Sequence, residues 1–289
     1  MDSRIQRDWH ALKGWQVAFL FFVIWLVAGV MSYYVVPRDL SPAENWSYRA
    51  LFAQSVTAGL FSVVVLLSRP LRQFAFEACH RPGRPISWLE LAAALVLMFL
   101  WVFGGHRLIV AAAIVHGDTS YWYTAFGFSD SVEVLRDHHV VLTFLITVLV
   151  APILEEFVFR AVMLRVWMQS RSLWLSVAFS SIAFGAIHNT SFLFATAAGV
   201  LFACLYLSYR SILPAVLVHA AHNLIVLIPA VRQSFSLRDK AVVSSWSGWT
   251  VEFLLAILML PLAFWVFRRL VSSPLFPAPA ANFSARGES

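Results

Sequence analysis

The stretch Val140–Met168, VVLTFLITVLVAPILEEFVFRAVMLRVWM, decides the fold of this chain. It is apolar over most of its length, yet Glu155, Glu156 and Arg160 sit inside it. Charged groups are costly in hydrocarbon, so those found in apolar segments face a polar interior or a functional cavity. The stretch is longer than a bilayer core of about 30 Å requires, which predicts a tilted or bent helix. Pro152 removes a backbone donor one turn before the glutamates, and a kink there would loosen the backbone beside a polar cavity.

The rest of the chain has the same character. Hydrophobic residues make up 60% of the 289 and charged residues only 12%. That balance predicts an all-α, polytopic transmembrane helical bundle with no separate soluble domain. Eight spans are expected: Trp15–Val36, Ala50–Leu67, Trp88–Gly104, Val140–Met168, Leu173–Ile187, Phe192–Tyr209, Ile212–Pro229 and Val251–Phe267. The first run is too long for a signal-peptide core and reads as a true span. After Gly104-Gly105-His106-Arg107, the short apolar run Leu108–Val115 suits a re-entrant or interfacial helix. Tyr121, Trp122, Tyr123, Phe126 and Phe128 then form an aromatic patch of the headgroup type.

By organisation, residues 1–139 hold the N-terminal spans and loops, 140–230 a functional core, and 231–271 the last loop and span. Residues 272–289 form a Pro-, Ala- and Ser-rich tail with the composition of a disordered segment. Cys79 and Cys204 imply no disulfide framework.

The net charge of +6 is spread over loops, which is a topology signal and not a nucleic-acid footprint. Arg4, Arg7, Lys13, Arg69, Arg72, Arg81, Arg84, Arg165, Arg171, Arg210, Arg268 and Arg269 favour one side of the membrane. Asp39, Glu44, Asp118, Asp130, Glu133 and Asp137 mark the other, and only Arg232, Arg238 and Lys240 break the pattern. Both termini are therefore expected in the cytosol. The preference for arginine over lysine suggests a GC-rich bacterial genome, hence the bacterial cytoplasmic (inner) membrane.

Within the fourth span, Glu156 and Arg160 are four residues apart on one helical face and can form a charge-assisted pair. Glu155 points about 100° away and is poorly placed to share that pairing. It is the candidate general base for water, with Glu156 and Arg160 its structural support. A buried pair that only locks two helices together would leave the second glutamate unexplained.

His188 closes the fifth span, with Phe184 one turn before it on the same face. Taken alone it fits an interfacial histidine equally well. In the seventh span His219 and Asn223 share a face, with His222 beside them. Such a pair can hold a metal, donate to a carbonyl oxygen as charge develops, or make an interhelical hydrogen-bond cluster. Asn189-Thr190-Ser191 is a formal glycosylation sequon, in a turn too short to suit glycosylation.

Three motifs stand in order: Glu155-Glu156-x-x-x-Arg160, Phe184-x-x-x-His188 and His219-x-x-x-Asn223. Together they resemble the CAAX-protease and bacteriocin-processing (CPBP) family of intramembrane glutamic-type endopeptidases, over roughly residues 140 to 230. The resemblance implies that Glu155 and His188 prepare a water nucleophile and that His219 and Asn223 steady the oxyanion. It also implies that Glu156 and Arg160 hold the cavity. No cofactor is expected; the alternative is zinc held by Glu155, His188 and His219. The absence of a His-Glu-x-x-His helix argues against a zincin, and that of Gly-x-Ser-x-Gly against a serine nucleophile. The expected partners are a membrane-associated protein or peptide substrate and the lipid bilayer. Two other classes remain open: a non-catalytic scaffold, immunity or regulatory protein of the same family, and a proton-coupled transporter. One demand is left for the structure. The span boundaries put His188 near the outer end of its helix and Glu155 nearer mid-membrane, so a tilt or re-entrant turn has to bring them together.

Overall fold

The computed structural model describes residues 14–36, 42–79, 82–101, 144–188, 192–227 and 261–273. The described residues contain nine helices and no strand. They are α1 (Gly14–Val35), α2 (Pro42–Leu67), α3 (Arg69–Ala78), α4 (Trp88–Trp101), α5 (144–168), α6 (Leu173–Ala186), α7 (Phe192–Tyr209), α8 (Leu213–Leu227) and α9 (261–271). The described parts of the expected spans lie on helices, although the second starts earlier, at Pro42, and residues 251–260 of the eighth lie outside the described residues. Proline suits that first turn, where a missing N–H costs nothing. The run Leu108–Val115, the aromatic patch, the sequon, the loop with Arg232 and the tail beyond Ser273 lie outside the described residues. Within that tail, Ser272 and Ser273 are described and close α9: the Ser272 N–H bonds Arg268 O, and Ser273 Oγ donates to Ser208 O at 2.9 Å.

Phe192–Tyr209 is long and apolar enough to cross a membrane, and five other apolar helices are shorter. Phe19, Phe22, Leu26, Val30 and Tyr34 of α1 are turned outward, as are Leu60, Val63, Leu66 and Leu67 of α2. A continuous outward apolar surface of this kind is one that lipid solvates.

The segment after the second span carries arginines that read as loop charges, but it folds as α3. This short helix buries Leu71 and reaches α5 through a Glu77–Arg165 ion pair at 2.8 Å.

The core is built around α5, whose residues Phe157–Leu164 are all buried. Helices α6 and α7 pack closely, and small residues allow it. Ala195, Gly199 and Ala203 recur every four residues on α7, the spacing that lets helix backbones approach closely in membranes. A Cβ on Gly199 would lie 2.9 Å from Ser181 Cα, and one on Gly185 would lie 2.7 Å from Phe192 O. Gly199→Ala should therefore push the two helices apart and cost about 1–3 kcal/mol, read as a lower midpoint in denaturant unfolding of the purified protein. A midpoint equal to wild type would mean that the approach is not tight. At its C-terminal end α7 stops with Arg210 in the left-handed region (φ 54°), which reverses the chain into α8.

One further charge is buried. Glu90, near the start of α4, accepts from Tyr209 Oη at 2.9 Å and pairs with Arg84 and with Arg269 Nε, the latter at 3.0 Å. This cluster ties α4, α7 and α9 together at one end of the bundle.

Candidate active site

The turn at 169–172 makes α5 and α6 an antiparallel hairpin, and that register sets the site. Glu155 lies 13 residues before Met168 (168 − 155), and His188 lies 15 after Leu173 (188 − 173). At 1.5 Å per residue both are about 20 Å from the turn. Because α6 has only 14 residues, it stops beside the middle of α5. His188 does sit at the outer end of its helix, as expected, but that helix is short enough to end level with Glu155. Glu155 Oε2 is 3.8 Å from His188 Nε2 and also 3.8 Å from His219 Nε2. Those separations exceed direct hydrogen-bond length but lie within the span of one bridging oxygen.

Glu156 turns the other way. It is fully buried and lies 3.1 Å from Arg160 Nε, while its Oε1 is 3.0 Å from His219 Nδ1. Arg160, also fully buried, donates through Nη2 to Gly199 O at 3.1 Å. Its guanidinium lies 4.4 Å from the centre of the Phe184 ring and 5.3 Å from that of Phe202. Such cation–π contacts strengthen when desolvated.

Two aromatic rings hold the imidazoles. Phe184 packs on His188 at 4.5 Å and meets the His219 edge at 5.8 Å. Phe202 stacks on His219 at 4.8 Å, with the planes only 18° apart. Phe202, Gly199 and Thr147 were not singled out in the sequence. For Phe202 and Gly199 the available signal was the small-residue spacing of α7, which marks the face that packs inward.

Hydrogen bonding fixes the ring tautomers. His188 Nδ1 lies 2.8 Å from Phe184 O, and a carbonyl only accepts, so Nδ1 carries the proton. A carboxylate on His219 Nδ1 imposes the same choice there. In their neutral forms both histidines thus turn Nε2 lone pairs towards Glu155, whose Oε2 has no hydrogen-bond partner among the described residues. Three acceptors that converge in this way are complete only when protons lie among them. The arrangement can therefore take up, hold and return a proton.

Asn223 stands on α8 one turn beyond His219. Its Nδ2 donates to Thr147 O at 2.9 Å, and its Oδ1 faces His222 Nδ1 at 3.4 Å. This gives His222, which had no role from the sequence, a place as a neighbour that orients the amide. As donors for zinc, Glu155, His188 and His219 have suitable chemistry. Nonetheless, no group of three His, Cys, Asp or Glu side chains among the described residues has metal-binding geometry.

Residues 137–225 match the family described as type II CAAX prenyl endopeptidase Rce1-like. This stretch is similar to that family. It contains all three motifs, so the resemblance read from them stands, and that family is a bundle of membrane helices. Over 137 residues the chain is 27% identical to the "Putative membrane peptidase YdiL" of Bacillus subtilis (strain 168), which covers 46% of this chain and 56% of that protein. The chain thus spans about half the length of the curated relative it matches. The family is thus described as an endopeptidase family and the relative as a putative membrane peptidase. No solved structure matches this chain significantly.

Proposed function

We propose that this protein is an intramembrane endopeptidase that hydrolyses a peptide bond in a membrane-associated protein or peptide. The observation that carries this reading is the convergence of Glu155, His188 and His219 inside an apolar bundle. Glu155 takes a proton from water as the water oxygen attacks the carbonyl carbon, with His188 Nε2 as the second acceptor for that water. The carbonyl oxygen becomes an oxyanion and receives the free Nδ2–H of Asn223. His219 can donate from Nε2 as the imidazolium, with its Nδ1–H kept on Glu156. The proton on Glu155 then passes to the leaving amine as the C–N bond breaks. Preorganised donors of this kind act most strongly where water is excluded.

The reaction is written without a metal: the proton that Glu155 takes from water is the one the leaving amine receives, and the proton on His219 Nε2 is one the resting site holds among its converging acceptors. The protein is multi-pass in the bacterial cytoplasmic membrane, with both termini cytosolic. Supporting that topology, Arg84 and Arg269, two residues assigned to the same side by charge, converge on Glu90.

The test is hydrolysis of membrane-anchored peptides by the purified protein, with and without a chelator. Cleavage indifferent to the chelator is expected. Loss with the chelator and recovery with zinc would turn the same three residues into a metal site. If a broad peptide panel is left intact, a non-catalytic scaffold becomes the better reading.

A further inference from the structure

The start of α5 does not have α-helical hydrogen bonding, and neither does Phe157–Leu164 beyond the glutamates. Residues Leu145–Val150 form wide turns with bonds to the fifth residue back, and the Ala151 N–H accordingly bonds Ile146 O. Such stretches are rare and concentrate at functional sites. The carbonyl of Thr147 has two backbone donors in reach, those of residues 151 and 152. Ala151 has given its N–H to Ile146, and the next residue is Pro152, which has none. A carbonyl left open in this way must find another donor, since unpaired buried backbone groups are costly. It finds Asn223 Nδ2 at 2.9 Å.

The geometry points to Pro152 as a positioning residue for Asn223, acting through the Thr147 carbonyl that it leaves open. The catalytic consequence rests on the function proposed above. Because the carbonyl can only accept, it compels the NH₂ end of the amide to face α5. One N–H is spent on Thr147 and the other is held for the substrate oxygen. His222 Nδ1 beside Oδ1 opposes a flip of the amide. A residue with an N–H at position 152 would compete for the same carbonyl and release Asn223.

The chain has four asparagines, Asn45, Asn189, Asn223 and Asn282, so ¹⁵N-asparagine labelling of the full-length protein in micelles resolves the side-chain amides. The Asn223 signal is the one that vanishes in Asn223→Ala. In Pro152→Ala it should shift, and its exchange with solvent should accelerate about tenfold, the loss of one ordinary hydrogen bond. Alanine favours helix, so the fold should survive; Pro152→Gly restores the same N–H and serves as the second variant. An unmoved Asn223 signal in both variants would overturn the proposal whatever the enzyme does. In the cleavage assay Pro152→Ala should lower kcat about tenfold with KM little changed, and should add nothing to the loss in Asn223→Ala. An equal loss in both backgrounds would overturn the route through Asn223 and leave only a helix-shape role. Absence of any Glu155-dependent cleavage would sink the proposed function, but the spectroscopic result would stand by itself.

Discussion

Glu155→Gln is expected to reduce peptide-bond hydrolysis by about 10²–10⁴, the range supplied by a positioned general acid or base, with the fold intact. The substitution keeps the shape of the side chain and removes its capacity to take a proton. It breaks no direct hydrogen bond at Oε2 among the described residues, because the imidazole nitrogens are 3.8 Å from that oxygen. Unfolding midpoint and helix content should therefore match wild type while the initial rate collapses. Glu156→Gln should behave differently: it disturbs the Arg160 pair and the His219 contact, so stability falls along with activity. A Glu155→Gln protein that still cleaves at the wild-type rate would place the proton acceptor elsewhere.

Arg160→Met carries the largest expected cost to stability. It strands the buried carboxylate of Glu156, frees the Gly199 carbonyl and removes the cation packed on Phe184. Breaking one partner of a buried pair costs about 3–5 kcal/mol, a large share of the roughly 5–15 kcal/mol that holds a typical protein together. Lysine should not rescue it, for an ammonium cannot serve a carboxylate and a carbonyl with one planar fork. Adding Glu156→Gln to Arg160→Met should recover part of the stability, since the stranded charge is gone. Activity should stay low in the double variant, where His219 Nδ1 no longer rests on a carboxylate. The measurement is denaturant unfolding of all three variants in one detergent. If Arg160→Met alone unfolds with wild type, the pair does not hold the bundle.

The carboxylate helix was legible because a charge is conspicuous in an apolar stretch. The pairing of Glu156 with Arg160 followed from spacing alone, and the free direction of Glu155 followed from that pairing. The place of His188 at the end of its helix was legible from the span boundaries; that this end lies level with Glu155 follows from counting outward from the shared turn at 169–172. Two features had weaker signals. Gly199 and Phe202 lie in a helix with no charged residue, so only the small-residue spacing of Ala195, Gly199 and Ala203 marked the packing face. Arginine-rich α3 looked like a loop because positive charge serves both topology and the polar face of a short helix. The wide turns of α5 were not legible at all, since hydrogen-bond register leaves little trace in the pattern of apolar residues. Glu90 passed unnoticed because its partners Arg84 and Arg269 are remote from each other in the chain.

The wide turns of α5 also act as slack. A stretch bonded to the fifth residue back carries more residues per turn than an α-helix, so it can lose one and tighten without breaking the helix. Such a deletion between Leu145 and Val150 would be taken up as the wide turns tightened, so the residues upstream would keep their face while Glu155, Glu156 and Arg160 kept their places. The meeting of Glu155 with His188, fixed from the other end of the helix, would be untouched. The segment upstream of residue 145 can therefore change length over time without dragging the carboxylates with it.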